Sequence, residues 1–230
     1  MCGRYVSRLA PEAIVEEFGV DRVAVSEVLE PDFNVAPTKQ VYAVLDRIHE
    51  DHPERQLRSV RWGLVPSWAK DVNIGRKLIN ARLESADEKP AYRKAWEKRR
   101  AILPADGFYE WTPEKTPFYL HRPDDGVLAL AALYELWRDP ALPKDDPDAW
   151  LWSAVVLTTV ATDEAGKVHD RAPLVVPAAA YDAWLSPAGH DSDALRALLV
   201  PATSLVVADE VSREVNNVRN NGPSLITRVA

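Results

Sequence analysis

Proline interrupts this chain more than any other residue type does, and it limits how long a regular element can run. Eighteen prolines are spread through 230 residues, and most apolar segments between turn residues are short and strand-like. Because proline cannot donate a hydrogen bond, each one tends to begin, end or bend an element. The pattern predicts an α+β fold, a single compact domain around a strongly bent, barrel-like antiparallel β-sheet with flanking helices.

The local patterns place elements along the chain. A helix is predicted at 9–19, where Pro11 suits the first turn and Gly19 can end it. Segment 127–137 is compatible with a strand or a helix. The other predictions are strands at 41–48, 57–65, 101–103, 108–112, 118–121 and 151–160, helices at 90–99, 178–185 and 192–199, loops at 66–78 and 139–148, and short strands with turns after residue 200. No repeat or linker divides the chain, so we expect one domain over residues 1–230.

Composition and motif content exclude several classes of protein. One cysteine rules out an internal disulfide and a cysteine-based zinc cluster, which suits a reducing cytoplasm. No apolar signal-peptide core or membrane-length segment is present. Nothing resembles a dinucleotide-binding or phosphate-binding glycine loop, and the five histidines have no metal-ligand spacing. We therefore expect neither a cofactor, a metal nor a membrane partner.

The charge of the chain is unevenly distributed. The net charge is −7, yet residues 55–100 contain 13 basic and 5 acidic residues, a local charge of +8. A basic segment on an acidic body can form a phosphate-binding face, because the local field controls binding. A solvated helix around 90–100 explains the same count, so charge alone leaves both interpretations open.

The sole cysteine occupies position 2. If an aminopeptidase removes Met1, Cys2 carries a free α-amine next to its thiol. Their reference pKa values, about 7.7–8.0 and about 8.5, leave both partly deprotonated near neutral pH. An inert buried cysteine is the alternative, but the position favours a nucleophile.

Three further polar residues lie in motifs that could carry chemistry. Glu110 stands between Tyr109 and Trp111 in a predicted strand, where desolvation would raise the pKa of its carboxyl group. His169 precedes Asp170 and could shuttle protons, and the amide of Asn80 could orient a nucleophile. Each also has an ordinary structural explanation: an ion-paired strand residue, a loop histidine or a turn. The asparagines at 216–221 are interpreted as turn formers.

Taken in order, these motifs resemble one family along almost the whole chain, the SRAP (SOS response-associated peptidase) domain family. The matching segments are MCGR at 1–4, FNVAPT at 33–38, WGLVPSW at 62–68, NARLES at 80–85, RRAILPADGFYEW at 99–111, HDRAP at 169–173 and VNNVRNNG at 215–222. Three residues depart from the family pattern, and we interpret them as packing changes: Ser85, Ala101 and Ala172.

The resemblance implies a covalent sensor of abasic sites in single-stranded DNA, active in the DNA damage response. Its catalytic residues would be Cys2 as nucleophile, Asn80 to position it, and Glu110 and His169 to handle protons. Its DNA-binding residues would be Arg4, Trp68, Arg76 and Arg82. It further implies a monomer that meets replication-fork proteins and associates with the nucleoid when bound to DNA, with possible lyase and peptidase activities.

The chemistry of an N-terminal cysteine agrees with that role. An aldehyde condenses with the α-amine of Cys2 to an imine, and the thiol then closes a five-membered thiazolidine. Both nucleophiles are needed, which explains an N-terminal position. If the ring does not close, β-elimination from the imine could nick the strand, a weak lyase activity.

Two other functions remain open at this stage. An N-terminal-nucleophile amidohydrolase or peptidase would use Cys2 on an amide, with its own α-amine as base. A non-catalytic binder of single-stranded DNA would use only the basic segment and the tryptophans.

Overall fold

Strands make up most of the fold in the computed structural model, which describes residues 2–143, 145–161, 168–188 and 191–229. Met1, whose removal is expected, lies outside these ranges. The strands are β1 Tyr5–Ser7, β2 Arg22–Ala24, β3 Asp32–Val35, β4 Gln40–His49, β5 His52–Trp62, β6 Asn80–Arg82, β7 Arg100–Ala105, β8 Gly107–Trp111, β9 Pro117–His121, β10 Leu128–Arg138, β11 Trp150–Val160, β12 Arg171–Val175, β13 Val200–Pro201 and β14 Val207–Glu210.

The helices are short. The α-helices are α1 Pro11–Phe18, α2 Arg93–Lys98, α3 Tyr181–Leu185 and α4 Ser192–Ala197. The 3₁₀-helices are Val72–Lys77, Leu83–Ser85, Pro147–Ala149, Ala178–Ala180, Ala202–Ser204, Arg213–Asn216 and Pro223–Ile226. None of the helices in the described ranges combines the length and apolar character needed to cross a membrane.

The larger sheet closes on itself. Pairings β10–β7, β7–β4 and β4–β5 are antiparallel, β5–β11 is parallel, and β11 returns to β10 in an antiparallel pairing. These five strands form a ring, so the predicted barrel-like sheet is confirmed. The sheet is mixed rather than purely antiparallel, because β2–β5, β5–β11 and β6–β11 pair in parallel. Long connections between these strands remove the constraint that a hairpin places on direction.

The smaller sheet has the order β14-β9-β8-β1-β3 and places the N-terminal strand inside a sheet. Tyr5 lies opposite Phe108 on one side and Val35 on the other, both antiparallel. The chain just after Met1 is therefore held by two neighbouring strands.

Most predicted elements are present, with shifted boundaries. Helix α1 begins at Pro11 and ends at Gly19, whose positive φ of 62° suits glycine. The helix predicted at 90–99 begins only at Arg93, because the preceding residues form a turn in which Tyr92 N donates to Lys89 O. The turn between β4 and β5 needs only Glu50 and Asp51, both with positive φ.

The ambiguous segment 127–137 is strand β10, and nearly all of its side chains are buried. Burial on both faces explains why its sequence is a continuous apolar run that shows no strand alternation. After residue 200 the predicted short strands are fewer than expected, and 3₁₀-helices occupy much of that segment.

Candidate active site

The segment around Cys2 runs beside strand β8. Tyr109 N donates to Arg4 O at 2.9 Å, which continues the β1–β8 ladder beyond Tyr5 and brings Gly3 opposite Glu110. Cys2 is 0% exposed and Glu110 is 3% exposed. The nucleophile and the carboxyl group predicted from separate motifs therefore share one buried corner.

Asn80 reaches the same corner from the larger sheet. Strand β6 pairs in parallel with β11, with Asn80 opposite Val156. Asn80 Nδ2 donates a 2.8 Å hydrogen bond to the carbonyl oxygen of Cys2. Its Oδ1 is buried and accepts no hydrogen bond within the described part of the chain. The amide thus holds the backbone of Cys2 and keeps a buried acceptor beside it, while its role in orienting a nucleophile stays a prediction.

The electrostatics of the corner favour neutral groups. Burial raises the pKa of Glu110 to about 7, so that its carboxyl group can give or take a proton near neutral pH. Burial also raises the pKa of the Cys2 thiol, and the charge of Glu110 adds to that shift. The thiol is therefore protonated at neutral pH in this state and would need a base to react.

His169 lies two residues before strand β12. Its Nδ1 accepts from Arg171 N at 3.0 Å and lies 2.9 Å from Asp170 Oδ1. Partial burial lowers the pKa of the imidazole, while Asp170 acts in the opposite direction. The two contacts favour opposite states of Nδ1: the Arg171 amide donates to an unprotonated nitrogen, whereas Asp170 would accept a proton from it.

An ion pair missed at the sequence level connects two motifs. Arg171 donates to both carboxylate oxygens of Glu84, each at 3.0 Å, and to Thr158 O at 2.7 Å. Partial burial raises the pKa of Glu84, but the hydrogen bonds from Arg171 outweigh it and hold the pKa below its usual range. The pair fixes β12, and with it His169, to the segment that follows Asn80. In the sequence, only the position of each residue inside a recognised motif pointed to this ion pair.

Arg4 has structural partners in addition to its predicted DNA role. Its Nη1 donates to Asn34 Oδ1 at 2.6 Å and to Val215 O at 2.9 Å, and its guanidinium lies 5.7 Å from the centroid of a Trp111 ring. The arginine is half-buried. Part of its donor capacity is therefore committed to holding the C-terminal segment against β1.

Asn34, which the sequence analysis did not single out, organises that segment. It is 0% exposed, and its Nδ2 lies 3.0–3.2 Å from the carbonyl oxygens of Val215, Asn217 and Asn220. These contacts connect the first, second and last of the recognised motifs.

The asparagines at 216–221 do more than form turns. Asn217 Oδ1 accepts from Arg219 N, a local turn contact. Asn216 Oδ1, however, accepts from Trp111 Nε1 at 2.7 Å, and Asn221 bonds the backbone of Phe33 and Pro31. The interpretation of these residues as turn formers was incomplete, because their side chains bind strands far away in the sequence.

The remaining predicted DNA-binding residues lie on the surface. Trp68 is 58% exposed, and Arg76 and Arg82 are exposed without an ion pair to any residue in the described ranges. Arg82 lies in β6, two residues after Asn80, opposite Thr158. Their role in binding DNA stays a prediction.

The basic segment 55–100 is only partly available to a ligand. Arg55 pairs with Asp46 and Asp182, Arg99 pairs with Glu135, and Arg100 is buried with its donors on backbone carbonyls. Three of the thirteen basic side chains of the segment are therefore engaged inside the fold.

Two of the three departures from the family pattern lie in the core. Ala101 is fully buried in β7, where its carbonyl oxygen accepts from Trp184 Nε1, and Ala172 is buried in β12. Ser85 ends the 3₁₀-helix Leu83–Ser85.

A sequence model of the family described as SOS response associated peptidase (SRAP) matches residues 1–218. The chain belongs to the SRAP family. Its resemblance to that family, predicted from the motifs, is thereby confirmed.

Other SRAP relatives align over most of their length. A Bacillus subtilis protein named abasic site processing protein YoqW is 36% identical over 98% of this chain and 99% of its own. Abasic site processing protein YedK of Escherichia coli is 30% identical over 100% of both chains. Abasic site processing protein HMCES of Xenopus tropicalis is 27% identical over 100% of this chain and 78% of its own.

Solved structures share the SRAP fold seen here. A crystal structure of a protein from Bacteroides thetaiotaomicron matches with a TM-score of 0.84 at 21% identity, covering 100% of both chains. One from Bordetella bronchiseptica matches with a TM-score of 0.73 at 25% identity, covering 92% of this chain and 100% of its own. The predicted fold class is confirmed.

Proposed function

We propose that this SRAP protein processes abasic sites in single-stranded DNA by forming a covalent bond through Cys2. The names of three relatives, each an abasic site processing protein, support the substrate class. The hydrogen bond from Asn80 Nδ2 to Cys2 O, made beside the buried carboxyl group of Glu110, is the observation that carries the mechanism.

The reaction begins once Met1 is removed and the nitrogen of Cys2 becomes a free amine. Its lone pair attacks the aldehyde carbon of the ring-opened sugar and gives a carbinolamine. Loss of water gives the imine, and addition of the thiol across the C=N bond closes the thiazolidine. One water leaves in total, and no oxidant or cofactor is required.

Each neighbouring side chain has a role that its environment supports. Asn80 holds the Cys2 carbonyl, so the amine and thiol keep one orientation. Glu110, with a pKa of about 7, protonates the departing hydroxyl of the carbinolamine and then accepts the thiol proton. His169, whose imidazole is only partly buried, donates a proton toward the sugar ring oxygen during ring opening and assists reversal. An imine that persists without ring closure would undergo β-elimination, a weak lyase activity.

Arg76 and Arg82 supply phosphate contacts from the surface, and Trp68 offers an exposed indole for base stacking. These contacts would bring the strand to the edge of the sheet where β6 carries Asn80.

Intact-mass spectrometry after incubation with a single-stranded oligonucleotide that contains one abasic site tests the proposal. The expected species is the protein without Met1 plus the oligonucleotide minus one water. Undamaged oligonucleotide and the Cys2→Ala variant are the controls, and neither should give an adduct.

The other outcomes discriminate the alternatives. A protein with a free Cys2 amine that gives no adduct would contradict the proposal, and glutamine or peptide hydrolysis would be assayed next. Strand affinity without any adduct would identify a non-catalytic binder.

A further inference from the structure

Tyr5 carries a buried hydroxyl group that the proposed mechanism does not yet use. The side chain is 0% exposed, and its Oη has no hydrogen-bond partner among the residues the structure describes. A phenylalanine would fill the same space without burying an unpaired polar atom, so the hydroxyl group costs stability in this state. That cost is explained if the hydroxyl group meets a partner when substrate is bound.

Two other buried tyrosines show that this is not a general property of the fold. Tyr42 Oη accepts from Leu29 N at 2.7 Å, and Tyr109 Oη donates to Phe33 O at 2.8 Å. Both hydroxyl groups serve the free protein. The hydroxyl group of Tyr5 differs from them because it has no such partner among the described residues.

The register of the small sheet directs Tyr5 toward the reacting corner. Tyr5 is opposite Phe108, and the ladder continues so that Gly3 is opposite Glu110. Alternate residues of a strand share a face, so Tyr5 and Glu110 are diagonal neighbours on the same face, within reach of a long side chain. The charge of a Cys2 thiolate would raise the pKa of Tyr5 further, which places the two groups in one electrostatic environment.

The ring of Tyr5 is held in place. It packs edge-on against Trp62, with centroids 5.1 Å apart and an interplanar angle of 67°. Trp62 Nε1 in turn donates to Ile79 O at 3.0 Å, one residue before Asn80. The chain segment that holds Cys2 therefore also anchors the indole on which Tyr5 packs, a rigid arrangement of the kind that a catalytic group needs.

We propose that Tyr5 is a catalytic residue for the crosslinking reaction, whose hydroxyl group donates a hydrogen bond to the aldehyde oxygen of the ring-opened abasic sugar. The inference rests on the proposed function. As the Cys2 nitrogen attacks the carbonyl carbon, the π electrons move to that oxygen, and the bond from Tyr5 strengthens with the developing charge. The oxygen then leaves as water with a proton from Glu110, and Tyr5 keeps its own proton.

The test is Tyr5→Phe, which removes one oxygen atom. At saturating abasic oligonucleotide, we expect adduct formation to slow about fivefold to tenfold, the loss of one hydrogen bond. The oligonucleotide concentration at half-maximal rate should stay unchanged. The midpoint of urea unfolding should stay equal to wild type or rise, because no protein hydrogen bond is lost.

Tyr42→Phe is the matched control, since it removes a hydroxyl group that the free protein uses. It should unfold at lower urea and form the adduct at the wild-type rate.

Two results would overturn the role of Tyr5: a wild-type rate in Tyr5→Phe, or a rate that falls only as the folded fraction falls. If the wild type itself forms no adduct, the proposed function fails and this inference fails with it. Assaying the wild type and Tyr5→Phe in parallel separates failure of the proposed function from failure of the role proposed for Tyr5.

Discussion

Replacing Asn34 with alanine should destabilise the protein far more than the loss of an average polar side chain. The side chain is fully buried, its Nδ2 reaches three backbone carbonyls, and its Oδ1 accepts from Arg4. An alanine removes the amide donor from all three carbonyls, of which Val215 O keeps Arg4 and Asn217 O keeps the Asn220 amide, and it leaves the guanidinium with one acceptor fewer. Two amide protons serve the three carbonyls, so the loss is about two neutral hydrogen bonds and one charge-assisted bond, about 3–5 kcal/mol in the free energy of unfolding.

Urea unfolding followed by tryptophan fluorescence measures this loss, with the slope checked to keep the comparison two-state. Asn73→Ala is the matched control, because Asn73 is exposed and, within the described residues, its side chain bonds only to Asp71. That variant should lie within about 0.5 kcal/mol of wild type.

A second variant separates the two halves of the Asn34 network. Asn34→Asp keeps the acceptor for Arg4 but turns an oxygen toward three carbonyl oxygens, so it should be at least as unstable as the alanine variant. A loss below about 1 kcal/mol for Asn34→Ala would refute the reasoning, since a single buried unsatisfied group already costs that much. A stable Asn34→Asp would show that the bond to Arg4 alone matters.

The remaining predictions concern the reaction and DNA binding. Glu110→Gln should slow adduct formation at least about tenfold. The free energy of unfolding of the wild type should fall as pH rises from about 4.5 to about 7, because only the folded state keeps the Glu110 carboxyl protonated in that range, and it should stay level above pH 7. Urea titrations across that range should show the fall in the wild type and not in Glu110→Gln. His169→Ala should slow release of the adduct more than its formation, and equal adduct half-lives would remove His169 from reversal. Arg82→Gln should weaken binding to undamaged single strands and reduce the slope of log affinity against log salt by about 0.7, with Arg22→Gln as a comparison outside the site; an unchanged slope would show that Arg82 contacts no phosphate.

The sequence offered candidate site residues but not the contacts that join them. Cys2, Asn80 and Glu110 were chosen from three motifs, and the structure brings them to one corner. Each was chosen because its side chain, a thiol, an amide or a carboxyl group, has a chemistry that the proposed reaction can use. Asn34 gave no such signal, because its importance comes from three carbonyls that lie about 180 residues further along the chain.

The fold class and the barrel-like curvature of the sheet could be predicted, and the parallel pairing that closes the ring could not. Short strands and prolines indicated a curved sheet, but the parallel pairing of β5 with β11 joins strands separated by about 90 residues. Local patterns hold no information on such a pairing. Local patterns also failed to identify strand β10, because burial on both of its faces removed the polar–apolar alternation that is typical of a strand.

The position of β1 between β3 and β8 also determines when the N-terminus can be processed. Tyr5 pairs with Val35 and with Phe108, so the sheet cannot close on both sides of this strand until roughly 100 further residues have been synthesised. At ribosomal rates of about 5–20 residues per second, the first residues of a nascent chain stay accessible for about 5–20 s. After docking, Cys2 is fully buried. Methionine removal is therefore expected during translation, and a refolded, unprocessed protein should resist the aminopeptidase that processes its nascent chain.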